Sequence, residues 1–228
     1  MQIAAQRFKS VLIVTYGRTG STLLQGILNT IPGYLIRGEI RNFPYALYMG
    51  QKNILDAKSF ANKPNTIGEN STKPTHPFFG VERLNIEDYQ KDCANLLENQ
   101  LVFGEEKLRV FGFKEVKYID ILGDLDAYLN FLTKILPDVG FVFLDRKLED
   151  VIHSSWWGKL KPEVVTEKIS KYREIVKSYG EKSKENCFFL NYEDLISNGE
   201  ELARLFEFLG EEYLHDNVAQ CLSVRHSY

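Results

Sequence analysis

Val14-Thr15-Tyr16-Gly17-Arg18-Thr19-Gly20-Ser21-Thr22-Leu23-Leu24 is the stretch that decides the fold. Before it, Ser10-Val11-Leu12-Ile13-Val14-Thr15 is apolar and β-branched, as a buried parallel strand reads. After it, Leu23, Leu24, Ile27, Leu28 and Ile31 form a one-sided helical stripe. The turn between them is short, bounded by glycines, rich in hydroxyls and carries one cation. Backbone N–H groups at a helix start, together with the helix dipole, favour an anion there. Arg18 adds charge, and Ser21 and Thr22 add hydroxyl donors. A tight turn that binds nothing is the alternative, but such a turn rarely needs an arginine among its glycines.

The loop differs from the common nucleotide loops. An ATP or GTP loop has four residues between its glycines and a Lys before Ser/Thr. Here only Arg18 and Thr19 separate Gly17 from Gly20, and no Lys precedes Ser21. Gly-x-Gly-x-x-Gly is absent as well.

Gly17-Arg18-Thr19-Gly20-Ser21-Thr22-Leu23-Leu24 resembles the 5′-phosphosulfate loop of the sulfotransferases. These enzymes move a sulfuryl group from 3′-phosphoadenosine 5′-phosphosulfate (PAPS) to an acceptor and release PAP. Many members carry Lys at the place of Arg18; tyrosylprotein sulfotransferases and many bacterial members carry Arg. A second segment strengthens the resemblance. The apolar strand Val139-Gly140-Phe141-Val142-Phe143-Leu144 is followed by Asp145, Arg146 and, eight residues after Arg146, Ser154. It is similar to the family's 3′-phosphate motif. An arginine can grip a dianionic phosphate with two parallel bonds, and a helix would put Ser154 two turns along. The alternative for Arg146 is an ion pair with Glu149 or Asp150. A third segment, Asn191-Tyr192-Glu193-Asp194-Leu195, resembles the family's late strand and turn and reads as scaffold.

The resemblance implies roles for two further residues. Gly38-Glu39 is similar to the Gly-Glu of tyrosylprotein sulfotransferases, in which the Glu is the proposed base that deprotonates the acceptor. Lys114, at the end of the strand Phe111-Gly112-Phe113-Lys114, matches a family Lys that stabilises charge on the sulfuryl group. Ion pairs of Glu39 with Arg37 or Arg41, and of Lys114 with Glu115, are the alternatives. The implied catalytic set is Glu39, Lys114 and Arg18. The implied nucleotide set is Gly17, Arg18, Thr19, Gly20, Ser21, Thr22, Arg146 and Ser154, with PAPS as cofactor and no metal. Trp156 and Trp157 could line an acceptor pocket or pack in the core. His76 is a lesser candidate for the base, and Arg225–Tyr228 could close over the nucleotide.

Composition sets outer bounds. The 228 residues suffice for one sizeable domain, expected to span 1–228. With 28 basic and 31 acidic side chains, the chain is no general nucleic-acid binder. Three widely spaced cysteines suggest reduced thiols and a cytoplasmic setting. No apolar run approaches the ~20 residues that span a bilayer.

Alternation of strands and helices predicts an α/β, P-loop-like, three-layer fold with a mainly parallel sheet. Strands are expected at 10–16, 34–38, 109–116, 139–145 and 186–192. Helices are expected at 20–31, 41–49, 86–102, 122–136, 148–160, 162–179, 199–209 and 214–222. Residues 51–80 read as a long polar loop shaping the acceptor pocket. In such sheets ligands sit beyond the carboxyl ends of the strands, where Gly17, Glu39, Lys114 and Arg146 all fall. The reading is a PAPS-dependent sulfotransferase acting on a small-molecule, carbohydrate or peptide acceptor. A nucleotide kinase with an atypical loop, or a non-catalytic PAP-binding protein, are the competing readings.

Overall fold

The computed structural model describes residues 6–63, 69–105, 107–154 and 156–224. Two compact units emerge, Met1–Asn42 with Leu101–Tyr228, and Phe43–Gln100.

The first unit is built on a five-stranded parallel sheet in the order β2-β3-β1-β4-β5. Its strands are β1 (Ser10–Val14), β2 (Tyr34–Arg37), β3 (Val110–Glu115), β4 (Val139–Asp145) and β5 (Cys187–Asn191). The second unit carries α2 (Phe43–Ala61), and α3 (Ile86–Val102) leads out of it. The remaining helices belong to the first unit. They are α1 (Ser21–Leu28), α4 (Leu125–Ile135), α5 (Leu148–Ile152), α6 (Pro162–Lys182), α7 (Tyr192–Ser197), α8 (Glu200–Leu209) and α9 (His215–Ser223).

β1 is buried throughout, which explains its uninterrupted apolar run. Side chains alternate between faces. Val11, Ile13, Val142 and Leu144 join a cluster with Leu24 and Ile27 of α1, Leu205 and Phe206 of α8, and Val218 of α9. On the other face, Phe141 and Phe143 of β4 meet the Tyr179 ring of α6 at 5.7 and 6.4 Å. Helices therefore cover both sides, as expected of the three-layer fold. From β1 the chain crosses to β2 on one side of the sheet; from β4 it goes to β5 on the other. The crevice between β1 and β4 is thus the topological switch point.

Boundaries depart from expectation where tertiary contacts decide them. β1 ends at Val14 because Thr15 and Tyr16 turn away: Thr15 Oγ1 donates to the Leu144 carbonyl at 2.7 Å, and the Tyr16 hydroxyl to Asp145. α1 stops at Leu28, and the Asn29 side chain bonds both the N–H (2.7 Å) and the carbonyl (2.9 Å) of Ile36. The chain thereby turns into β2. The helix expected from residue 41 begins at Phe43, since Arg41 and Asn42 have φ of 53° and 56°.

The polar loop expected over 51–80 is a correction: residues 51–61 continue α2. Gly50 does not stop this helix. A Cβ there would lie 2.1 Å from the Tyr89 hydroxyl, so glycine permits a close approach, and Tyr89 donates to the Leu47 carbonyl at 2.8 Å. The helix expected over 148–160 is also shorter. α5 ends at Ile152, and Trp157–Lys159 forms a single 3-10 turn. Tyr192, assigned to the last strand, instead opens α7.

In the second unit, His76 is buried among backbone groups. Its Nδ1 accepts from the Phe78 N–H at 3.1 Å, and its Nε2 lies 3.2 Å from the Lys63 carbonyl. Cys93, Cys187 and Cys221 are free thiols. Among the described residues no helix is long and apolar enough to cross a membrane.

Candidate active site

A half-open cavity of about 610 Å³ lies at the carboxyl ends of the strands of the first unit. Gly17, Arg18, Gly20, Ser21 and Thr22 of the β1–α1 loop line it, together with Glu39, Lys114 and Arg146. The sequence spreads these residues over 130 positions, and the sheet brings them together. Trp156, Tyr192, Ile196, Leu222 and Val224 add an apolar wall.

The loop owes its shape to two left-handed residues, Arg18 (φ 76°) and Gly20 (φ 83°). Gly20 meets this need without steric penalty; Arg18 does not, so its surroundings must hold it. The buried Trp157 donates its indole N–H to the Gly17 carbonyl at 3.0 Å, and Arg146 Nη1 donates to the Arg18 carbonyl at 3.2 Å. Thr19 is fully buried; with Thr15 donating to Leu144, its hydroxyl donates to Thr15 Oγ1 at 2.7 Å and lies 3.1 Å from the Tyr16 carbonyl. Its hydroxyl therefore braces the turn; only its backbone could serve a ligand. Close ring packing leaves no room for a side chain at Gly17 or Gly20. Added Cβ atoms would sit 2.2 Å from Trp156 and 2.4 Å from Tyr192, respectively.

Arg146 follows β4. Its guanidinium stands 4.3 Å from the Tyr192 ring centre and 3.5 Å from Asp150. The Asp150 contact is the alternative read from the sequence, yet it is long, half exposed and uses one nitrogen. Arg18 Nε and Arg146 Nε are both buried without a hydrogen-bond partner. Ser154 stands apart from the cavity lining. Its hydroxyl donates to the Val151 carbonyl at 3.0 Å, one turn back along its own chain.

Lys114 and Glu39 meet. β2 and β3 are neighbouring parallel strands, with Arg37 opposite Phe113, so both residues emerge at the same sheet end. Lys114, 5% exposed, donates Nζ to Glu39 Oε1 at 2.6 Å. The surface pair of Lys114 with Glu115 does not form. Among the described lining residues, Arg18, Lys114 and Arg146 face one carboxylate, Glu39, so the cavity suits an anion.

Sequence reasoning missed the residues that support this wall from α6. Tyr172 donates to the Val14 carbonyl at 2.9 Å. Arg173 pairs with Asp145 at 2.8 Å and donates to the Arg146 carbonyl at 2.7 Å. Burial, and then the Asp145 carboxylate, push the Tyr16 hydroxyl well above its ordinary range, so it remains a donor. No local motif marks Arg173, which lies 27 residues beyond Arg146. Among the described residues, no group of three or more His, Cys, Asp or Glu side chains could hold a metal ion.

The sulfotransferase family model matches residues 10–216, and the chain belongs to that family. The sulfotransferase domain of the Synechococcus PCC 7002 olefin synthase is similar in fold. Its TM-score is 0.59 at 17% identity, with 97% of this chain and 80% of that one covered. Sulfotransferase STF9 from Mycobacterium avium is a more distant likeness (TM-score 0.48, 14% identity, 95% and 67% covered). So is retinol dehydratase, solved with retinol and PAP (TM-score 0.41, 18% identity, 96% and 66% covered). Among curated proteins none matches the chain by sequence.

Proposed function

We propose that this chain is a PAPS-dependent sulfotransferase that works as one domain on a hydroxyl or amine acceptor. The convergence of Arg18, Arg146 and the Lys114–Glu39 pair in one cavity carries the reading.

The residues present fit the nucleotide. Two left-handed residues cup the loop at a helix start, and two buried guanidinium nitrogens there lack partners. Arg18, Ser21, Thr22 and the backbone of Gly17–Gly20 would hold the 5′-phosphosulfate. Arg146 would hold the 3′-phosphate, with Ser154 joining only if its hydroxyl leaves Val151. Bound there, PAPS supplies an activated sulfuryl group.

Glu39 would take the acceptor proton as the acceptor oxygen attacks sulfur. With PAPS bound, Lys114 and Arg18 would meet the negative charge that grows on the bridging oxygen, whose bond to sulfur breaks with the electron pair going to PAP, the leaving group. Positioning and fixed charge do most of the work, as in phosphoryl transfer. Lys114 is poised for both tasks, since it already orients Glu39.

The test is transfer of labelled sulfuryl from PAPS across a panel of phenols, sugars, peptides and amines, with EDTA present. Turnover in EDTA is expected. Transfer that stops on chelation and returns with Mg²⁺ contradicts the metal-free mechanism. PAP binding without turnover on any acceptor favours a non-catalytic role.

A further inference from the structure

Glu115 is a fully buried carboxylate with no part in the chemistry above. It follows Lys114 on β3, so its side chain leaves the opposite face of the strand. Three backbone amides surround it. Glu115 Oε2 accepts from the Asn42 N–H at 2.6 Å; Oε1 accepts from Val116 N–H at 2.8 Å and Lys117 N–H at 3.0 Å. Hydrogen bonds to an ionised acceptor are roughly twice as strong as neutral ones. Such a set is enough to keep a carboxylate inside a protein.

Two of those amides are local and would cap the strand end wherever it led. The third is 73 residues away in sequence and lies three residues after Glu39. Asn42 is nearly buried, and its side-chain oxygen accepts from the buried Tyr128 hydroxyl at 3.0 Å. Arg41 and Asn42 are both left-handed, at φ 53° and 56°. Neither is glycine, and L-residues avoid that region. Such strain persists only where the surroundings over-determine it. Here Glu115 and Tyr128 supply that hold.

The segment from Gly38 to Asn42 is therefore pinned at both ends. β2 fixes the start through its ladder with β3, and Glu115 fixes the finish. Glu39 lies between, its carboxylate on Lys114. Adjacent residues of one strand thus act on this segment twice, Lys114 on the Glu39 side chain and Glu115 on the Asn42 backbone three residues on. We propose that Glu115 is a positioning residue that holds Glu39 in its working place. This rests on the reading of Glu39 as the base.

Glu115→Gln keeps the shape but replaces one acceptor oxygen with a donor, so the three amides cannot all be served. Hydrogen exchange at Asn42 should quicken while Val11–Ile13 in β1 remain protected. PAP affinity should stay within about threefold. Release of PAP from PAPS, with water or phenol as acceptor, should fall ~10–100-fold in kcat with little change in KM for PAPS. Glu39→Gln/Glu115→Gln should be no slower than Glu39→Gln alone, because the second change removes only the placing of a base already lost.

Multiplying losses in the double variant overturn the proposal, since Glu115 would then act elsewhere. Unchanged Asn42 exchange in Glu115→Gln also overturns it. If Glu39→Gln by itself keeps wild-type turnover, the base assignment fails and the positioning role falls with it. Should Glu115→Gln not fold, Tyr128→Phe releases the same segment more gently. It should show a smaller loss in the same direction, again absent in the Glu39→Gln background; equal losses in both backgrounds contradict the proposal.

Discussion

Lys114 Nζ lies 2.6 Å from Glu39 Oε1, with the lysine buried at the end of β3 and the glutamate half exposed at the end of β2. The pairing places a cation and a base candidate at one mouth of the cavity. Glu39→Gln keeps size and hydrogen bonding but cannot take a proton at neutral pH. Turnover should fall about 10²–10⁴-fold. PAP affinity should change little, because Arg18 and Arg146 are left intact. Single-turnover transfer and PAP calorimetry on both proteins check this. A mutant within about threefold of the wild-type rate excludes Glu39 as base under rate-limiting chemistry.

Trp156 and Trp157 should behave oppositely. Trp157→Phe leaves the Gly17 carbonyl without its indole donor, at a cost of about 1–3 kcal/mol in stability. Trp156 is half exposed on the cavity wall and its indole donates no hydrogen bond among the described residues, so Trp156→Phe should cost less stability than Trp157→Phe and act on acceptor KM. Urea unfolding and acceptor titrations distinguish the two. A larger stability loss for Trp156→Phe than for Trp157→Phe would contradict the assignment.

Gly20→Ala puts a Cβ at φ 83° and 2.4 Å from the Tyr192 ring. The left-handed backbone alone costs roughly 1–2 kcal/mol. The Tyr192 ring, which Arg146 faces at 4.3 Å, must also shift. Lower thermal stability together with weaker PAP binding is expected. Unchanged PAP affinity would show that the loop and Arg146 are not coupled through Tyr192.

Alkali should unfold the protein. Burial pushes the hydroxyls of Tyr16, Tyr34, Tyr118, Tyr172 and Tyr179 upward. Above a pH of about 10 the unfolded chain loses these protons while the folded chain keeps them. The unfolded state then binds fewer protons, so stability falls as pH rises through that range. Below it these groups contribute no pH dependence. Urea midpoints measured from about pH 8 to about pH 11 should decline at the top end; a flat profile would contradict the burial of these hydroxyls.

Much of this was legible in the sequence because it is local. The apolar run at 10–14 and the stripe from Leu23 to Leu28 specify a strand and a helix, and Gly20 marks the turn between them. The α/β layering follows from repeating that pattern. Residues placed by long-range contacts were not legible. Gly50 looks like a helix stop until Tyr89 is seen against it. Glu115 looks like a partner for Lys114 until the strand's alternation sends the two apart. The spacing from Arg146 to Ser154 matches the family motif, but the hydroxyl turns back to Val151. Nothing in the sequence separates Trp156 from Trp157; the Gly17 carbonyl does.

In the proposed function, Arg18 and Arg146 hold a nucleotide phosphorylated at both 3′ and 5′ positions. Calorimetry of PAP, ADP and AMP with the wild-type protein and with Arg146→Ala tests it most directly. Each charge-assisted bond to phosphate contributes on the order of 1.5–3 kcal/mol. PAP should therefore bind the wild-type protein about tenfold or more tightly than ADP or AMP, and Arg146→Ala should erase that preference. Equal affinity for all three nucleotides in the wild-type protein would contradict the account.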